Sequence, residues 1–122
     1  MSNDTPKSLE SVLKRYSKGE RDFRGMELDD ADYTLAGQDL READFSESYL
    51  TVDFSRSNLR GASFRNANAK TCSFEDADLR ECDFRGAALC STTFKGAQMQ
   101  GAVFTGASCH SYVLSEGELP SW

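Results

Sequence analysis

The chain keeps one five-residue period without interruption from Val52 to Leu114. The residue at the centre of each five-residue unit is, in order, Phe54, Leu59, Phe64, Ala69, Phe74, Leu79, Phe84, Leu89, Phe94, Met99, Phe104, Cys109 and Leu114. An α-helix repeats every 3.6 residues and a strand every 2, so a period of five fits neither. The chain must therefore turn a corner in every unit. This predicts a solenoid of short extended pieces whose coils pair through main-chain hydrogen bonds.

The spacing of the phenylalanines predicts how many units make one coil. Phenylalanine recurs every ten residues, at Phe54, Phe64, Phe74, Phe84, Phe94 and Phe104, and each centre between them is a residue other than phenylalanine. If four units close a square coil of twenty residues, Phe54, Phe74 and Phe94 form one interior column, followed by Leu114. Phe64, Phe84 and Phe104 then form the column on the opposite wall. A three-sided coil would scatter the rings over every wall, so a square cross-section is predicted.

Two adjacent units, Ala77-Asp78-Leu79-Arg80-Glu81 and Cys82-Asp83-Phe84-Arg85-Gly86, show the pattern well. They resemble the A-(D/N)-L-x-x unit of the pentapeptide-repeat proteins, and the resemblance covers residues 21–114. It implies an all-β solenoid, a right-handed quadrilateral β-helix. It implies little about function, because the family is united by architecture rather than chemistry. The family is abundant in cyanobacteria, and most members have no assigned activity.

The N-terminal units continue the pattern with two slips. The predicted centres are Phe23, Leu28, Tyr33, Leu40, Phe45 and Leu50. Two extra residues between Tyr33 and Leu40 predict a bulge at Leu35-Ala36-Gly37, either a binding loop or, as we favour, a tolerated surface insertion. Leu50 and Phe54 are one residue too close, which predicts a shortened corner. Counting walls across both slips places Phe23 and Phe45 in the column of Phe64, Phe84 and Phe104, in a solenoid of just under five coils.

Both ends of a solenoid need covers, because terminal coils expose core side chains and unpaired backbone. Residues 1–20 predict an α-helical cap that begins near Thr5 and Pro6, ends at Gly19, and carries an apolar stripe of Leu9, Val12, Leu13 and Tyr16. A membrane anchor is the less favoured interpretation of this helix. The solenoid spans residues 21–114 and a tail spans 115–122. Leu114, Leu119 and Trp122 remain to close the last coil or to form an end-to-end dimer contact.

Composition and motifs limit the classes of function. The chain has 122 residues and a net charge of −6. It contains no stretch long enough to span a membrane and no signal-peptide core at its start, so we expect one cytoplasmic domain without membrane contact. Stacked core side chains leave no interior substrate site. With no phosphate-binding glycine loop, His-Glu-x-x-His or Cys-x-x-Cys motif, the sequence predicts neither an enzyme, nor a cofactor, nor a metal.

The four cysteines have two predicted roles. Cys72, Cys82 and Cys109 fall at inward positions, where cysteine is a small apolar filler, so no disulfide is expected. Cys90 follows a centre and should point outward, beside His110, the only histidine, one coil later. At about 5 Å apart, one strand spacing, the two could form a surface metal or thiol site. No third ligand is evident nearby, so this alternative is the weakest.

Charge is uneven along the chain. Residues 20–55 hold eleven acidic and three basic residues, a net charge of −8, whereas residues 56–110 hold five acidic and seven basic residues, a net charge of +2. The preferred hypothesis is a small non-catalytic scaffold, monomeric or dimeric end to end, that contacts a protein with a basic surface and not nucleic acid. The predicted interaction surface consists of Glu27, Asp29, Asp30, Asp32, Asp39 and Glu42.

The alternative hypothesis comes from the family resemblance. Some pentapeptide-repeat proteins protect DNA gyrase by resembling DNA. Duplex DNA carries one charge per about 1.7 Å, so a rod of about 23 Å would need about thirteen net negative charges. This chain carries −6. Charge arithmetic therefore ranks gyrase binding below the scaffold hypothesis.

Overall fold

The computed structural model describes residues 9–29 and 34–121. Helix α1 (Leu9–Ser17) is followed by strands β1 (Glu27–Asp29), β2 (Tyr49–Thr51), β3 (Ser108–Cys109) and β4 (Tyr112–Val113). β1 and β2 pair in parallel, with Leu28 opposite Leu50. From β2 to β3 the chain consists of single bridging residues separated by turns. The result is one solenoid, because every bridge joins a coil to the next coil rather than to a neighbour in sequence.

The bridges confirm a coil of four units. Ser63 pairs in parallel with Asp83, and Asp83 pairs with Val103, a spacing of 20 residues each. We name the four walls by their inward columns. Wall A contains Phe23, Phe45, Phe64, Phe84 and Phe104; wall B contains Leu28, Leu50, Ala69 and Leu89; wall C contains Leu35, Phe54, Phe74 and Phe94; wall D contains Leu40, Leu59, Leu79 and Met99. The chain passes through them in the order A, B, C, D, so walls B and D are opposite.

Phenylalanine rings fill the interior in two columns that meet at the centre. Within wall A, the ring centroids of Phe64 and Phe84 lie 4.9 Å apart and their planes differ by 9°. Between walls A and C, the rings of Phe64 and Phe74 meet edge to face at 5.3 Å and 79°. Phe23 and Phe45 stack in the wall A column as predicted, at 5.6 Å. Both geometries are favourable for aromatic pairs.

Most corners are four-residue turns, and the shortened corner between Leu50 and Phe54 is not. The amide of Ala62 donates to the carbonyl of Leu59 at 2.9 Å, and Gly61, the third residue of the turn, has φ 74. Arg60, the second residue, does not have a positive φ, so the combination is that of a type II turn, whose third position glycine enters without a steric penalty. The short polar residue before the centre supports the corner: Asn68 accepts a hydrogen bond from the amide of Lys70 at 3.2 Å.

The predicted bulge at Leu35-Ala36-Gly37 is wrong. Leu35 is fully buried, and its carbonyl accepts a hydrogen bond from the Ser57 hydroxyl at 2.5 Å. Gly37, with φ 72, forms the corner and donates to the carbonyl of Ser55 at 2.9 Å. Leu35 is therefore the centre on wall C, and the two extra residues lie between Asp29 and Leu35. Tyr33, which was assigned this position, lies outside the described residues.

The last coil does not close as predicted. β3 and β4 pair antiparallel, with Cys109 opposite Tyr112, so the chain reverses at His110 and Ser111. The amide of Leu114 donates to the carbonyl of Ala107 at 2.8 Å, so its backbone belongs to the hairpin and not to the parallel ladder, while its side chain is buried in the core. The parallel ladder ends at the bridge between Ala88 and Ser108. Leu119 is 46% exposed, and Trp122 lies outside the described residues.

Helix α1 covers the other end. Val12 is fully buried against the core, and the Tyr16 hydroxyl donates to the carbonyl of Arg41 at 2.8 Å. After the helix, the amide of Gly19 donates to the carbonyl of Tyr16 at 2.9 Å, and Gly19 has φ 97, a common way to end a helix. The predicted start at Thr5 and Pro6 lies outside the described residues. Within the described ranges, no helix is long and apolar enough to cross a membrane.

Candidate functional site

Aspartate–arginine pairs compensate part of the acidic charge on the solenoid. Residues on either side of a centre both point outward, so they can pair along one wall. Four such pairs are bidentate: Asp22 with Arg24, Asp39 with Arg41, Asp78 with Arg80, and Asp83 with Arg85. The Arg24 hydrogen bonds lower the pKa of Asp22 to about 2. Asp39 and Asp78 also have lowered pKa values, chiefly because of the arginine hydrogen bonds.

The structure distributes the predicted acidic surface over several walls. Glu27 and Asp29 lie together on β1, on wall B. Asp39 lies on the opposite wall D, where Arg41 holds its carboxylate at 2.8 Å. Glu42 lies at the corner between walls D and A, with φ 63. Asp30 and Asp32 lie outside the described residues. Of the described acidic candidates, only Glu27 and Asp29 therefore lie on the same wall.

Wall B carries an open groove next to these two carboxylates. The groove has a volume of about 510 Å³ and is lined by Glu27, Leu28, Asp29, Tyr49, Leu50, Thr51, Asn68, Lys70 and Thr71. Buried Leu28 and Leu50 lie beneath it. The Tyr49 side chain is 64% exposed and its backbone lies in register with Glu27. The groove thus has carboxylates at one end, a lysine at the other and an aromatic ring between them.

Tyr49 is absent from the predicted interaction surface, although the sequence carries a signal for it. Among the residues that directly precede a centre, Tyr49 is the only aromatic one; most of the others are Asp, Asn, Ser or Thr. That position points outward in every unit, so a large ring there is unsupported by the core. An exposed aromatic residue beside charged groups is typical of interaction surfaces.

The cysteines correct one prediction and confirm another. Cys90 and Cys109 form a disulfide, with Cα atoms 4.6 Å apart, although no disulfide was expected. Cys109 is not an inward filler, because the chain has begun to reverse into the β3–β4 hairpin, and its side chain is partly exposed. Cys72 and Cys82 are buried as predicted, and their thiols donate to the carbonyls of Leu50 and Leu59. Burial raises the pKa of Cys82 to about 12, which makes that thiol unreactive.

The structure also brings Cys90 and His110 together. The side-chain ligand atoms of Cys90, Cys109 and His110 all lie within 4.8 Å of one another. The backbone amide of His110 donates to the Cys90 sulfur at 3.1 Å. The sequence placed Cys90 beside His110 but missed Cys109 as a third member. The missed signal was the spacing of 19 residues, which joins diagonal neighbours on adjacent coils, as in the hydrogen bond from Leu89 to Ser108.

Comparisons with known proteins agree with this architecture. The family model for pentapeptide repeats matches residues 52–86 and 82–111 with eight copies. The crystal structure of alr5209, a pentapeptide repeat protein from Nostoc Pcc 7120, is 36% identical with a TM-score of 0.50, over 85% of this chain and 82% of that one. The chain therefore belongs to the pentapeptide-repeat family. Its solved relatives imply a right-handed quadrilateral β-helix, and the family is generally a non-catalytic structural scaffold.

More distant comparisons add the fold alone. A pentapeptide repeat protein from the Arabidopsis thaliana thylakoid lumen is 24% identical, with a TM-score of 0.53, over 69% of this chain and 63% of that one. QnrB1, a plasmid-mediated fluoroquinolone resistance protein, matches with 19% identity and a TM-score of 0.23, a likeness too low to support an inference about fold or function. No curated protein matches the chain significantly.

Proposed function

We propose that the protein is a small non-catalytic scaffold that binds a basic segment of a partner protein in the groove on wall B. The observation that carries this proposal is the exposed ring of Tyr49 above an apolar floor and beside Glu27. Glu27 makes no side-chain ion pair among the described residues, in contrast to Asp22 and Asp39. Its carboxylate is therefore available to a cationic partner.

The chemistry of the groove indicates the kind of segment that would fit. An arginine or lysine side chain can stack on the Tyr49 ring while its charged group approaches Glu27, combining cation–π attraction with an ion pair. The net charge of −8 between residues 20 and 55 would speed the encounter with a basic partner.

The remaining features belong to the same proposal. A filled interior leaves no enclosed site for catalysis, which supports a role without enzymatic activity. The outer surface presents alternating Asp and Arg rather than a basic stripe, which supports a protein partner over nucleic acid. A cytoplasmic location, the absence of membrane contact and a monomeric or end-to-end dimeric state remain predictions from the sequence.

Capture from an extract of the source organism tests the proposal, with bound proteins quantified by mass spectrometry. Tyr49→Ser and Glu27→Gln should each reduce recovery of the same basic protein by about tenfold, because they remove the central ring and its neighbouring charge. Asp39→Asn is the matched control, since it removes one carboxylate from the opposite wall. Equal recovery with all four proteins would contradict the proposal.

A gyrase supercoiling assay with and without a quinolone separates the scaffold from the DNA mimic. The four bidentate Asp–Arg pairs lower the density of uncompensated negative charge, so we expect no protection of gyrase. Protection at micromolar protein would replace the scaffold proposal with gyrase binding.

A further inference from the structure

The C-terminal end of wall B carries a cluster that the scaffold role does not use. Cys90 lies on the fourth coil and Cys109 on the fifth, with His110 next to it in the turn between β3 and β4. We propose that Cys90, Cys109 and His110 bind a thiophilic divalent cation, with zinc the best fit, when the two cysteines are reduced. The metal-bound form and the disulfide form are then alternative states of one site.

The backbone holds the two sulfurs close whether or not they are bonded. Ala88 bridges Ser108 in the parallel ladder, and the amide of Leu89 donates to the carbonyl of Ser108 at 2.9 Å. These main-chain bonds fix the Cα atoms of Cys90 and Cys109 4.6 Å apart. Reduction of the disulfide therefore leaves two neighbouring thiols on a preformed frame.

The ligand set and its dimensions suit zinc. Zinc binds thiolate sulfur at about 2.3 Å and imidazole nitrogen at about 2.0 Å, so two ligand atoms on one tetrahedral ion lie roughly 3.5 Å apart. The three ligand atoms here already lie within 4.8 Å of one another, so side-chain movements of about 1 Å complete the site. Two thiolates and one imidazole leave a fourth position for water or a partner's side chain.

The environment distinguishes these residues from the other two cysteines. Cys90 and Cys109 are partly exposed and His110 is exposed, so an ion can reach them. Cys72 and Cys82 are buried and donate to backbone carbonyls, so they do not compete for the ion. The amide of His110 donates to the Cys90 sulfur, which holds the turn that carries His110 next to that sulfur. A disulfide alone would give no role to the single histidine of the chain.

The two states exchange by ordinary thiol–disulfide chemistry with a small-molecule disulfide such as oxidised glutathione. One cysteine thiolate attacks the small disulfide, forming a mixed disulfide and releasing one small thiolate. The second cysteine then attacks its partner's sulfur, which forms the Cys90–Cys109 bond and releases the second small thiolate. Both released thiolates take a proton from water, and the metal ion leaves because its two sulfur ligands are consumed. The protein loses two electrons and the small disulfide gains them.

Metal titration of the full chain tests the inference. The reduced protein should bind about one zinc per chain in competition with a chromophoric chelator, and cobalt should give the absorption bands of tetrahedral thiolate ligation. Protein oxidised with glutathione disulfide should bind none at that site. Cys90→Ser and Cys109→Ser should abolish the cobalt–thiolate bands, and His110→Ala should weaken zinc binding by at least about tenfold.

The Cys72→Ser, Cys82→Ser double variant is the matched control. Serines already occupy equivalent inward positions at Ser48 and Ser57, where they donate to backbone carbonyls, so this variant should fold and retain the metal site. Circular dichroism establishes folding for every variant. Zinc binding that survives in a folded Cys90→Ser, Cys109→Ser protein would overturn the inference, as would failure of the reduced, folded wild type to bind zinc or cobalt.

Discussion

Both ends of the solenoid need a cover over the terminal coil, and the two covers are built differently. At the N-terminal end, α1 lays Val12 over the first coil, and Phe23 beneath it is fully buried. At the C-terminal end, the β3–β4 hairpin and the Cys90–Cys109 disulfide terminate the ladder, Leu114 is buried and Met99 is partly buried. Apolar side chains cover both ends, and the C-terminal end also has a covalent tie between two coils. The stability of the first end therefore depends on side-chain packing alone, and that of the second also on redox conditions.

The largest effect should come from a charge in the N-terminal cover. Val12→Asp places an unpaired carboxylate at a fully buried position, so the free energy of unfolding should fall by about 4 kcal/mol. Urea denaturation followed by circular dichroism measures this change. Lys18→Asp, at an exposed position after α1, is the control and should change little. If both variants were equally stable, α1 would not cover the core.

Reduction should affect the opposite end. The disulfide closes a loop with a sequence separation of 19, for which the loss of unfolded-state entropy predicts about 3 kcal/mol of stabilisation. The melting temperature of wild type should drop in the presence of a reductant without added metal. A Cys90→Ser, Cys109→Ser variant should melt at the same temperature with and without reductant. An unchanged melting temperature of the wild type in reductant would show that the Cys90–Cys109 disulfide contributes nothing to stability.

A smaller effect should follow from the hydrogen bond that the Tyr16 hydroxyl makes between α1 and the first coil. Tyr16→Phe removes the donor to the carbonyl of Arg41 but keeps the ring, so the loss should be about 1 kcal/mol. Hydrogen exchange should show faster exchange of α1 amides with little change near β3. Uniformly faster exchange along the whole chain would indicate that the two ends unfold as one unit.

The smallest effect concerns the stability of the fold at acidic pH. The pKa of Asp22 is lowered to about 2 by hydrogen bonds from Arg24, at the N-terminal end. Because the folded pKa lies below the unfolded one, this contribution is present above about pH 4 and is lost as the pH falls towards 2. Carboxyl NMR titration should report the low pKa in wild type and a value near 3.8 in Arg24→Gln. An unchanged pKa in that variant would assign the shift to another group.

The sequence predicted the interior well because the five-residue period of inward-pointing centres repeats through the middle of the chain. All eight phenylalanines are buried, at 6% exposure or less, and they form the predicted columns. The rule failed where two register choices satisfied it equally. Tyr33 is five residues from Leu28, and Leu35 is five residues from Leu40; only the glycine two residues after Leu35, at the corner position, distinguishes them.

The surface was harder to predict, because outward residues obey no packing rule. The five-residue period places Asp39 and Glu27 on the outer walls. It does not indicate that Arg41 pairs with Asp39, or that Glu27 lies beside an exposed tyrosine. Cys109 was misplaced for a different reason. The five-residue pattern continues to Leu114, but the backbone leaves the ladder at Ser108, and nothing in the pattern marks that departure.

The hydrogen bonds of the buried hydroxyl and thiol groups all run in one direction along the solenoid. Ser48, Ser57, Cys72, Cys82 and Thr92 each donate to a carbonyl 22 to 25 residues earlier in the chain. Each of these bonds joins one coil to the coil that precedes it in the chain. A chain emerging from the ribosome can therefore attach each new coil to the coil that was synthesised before it.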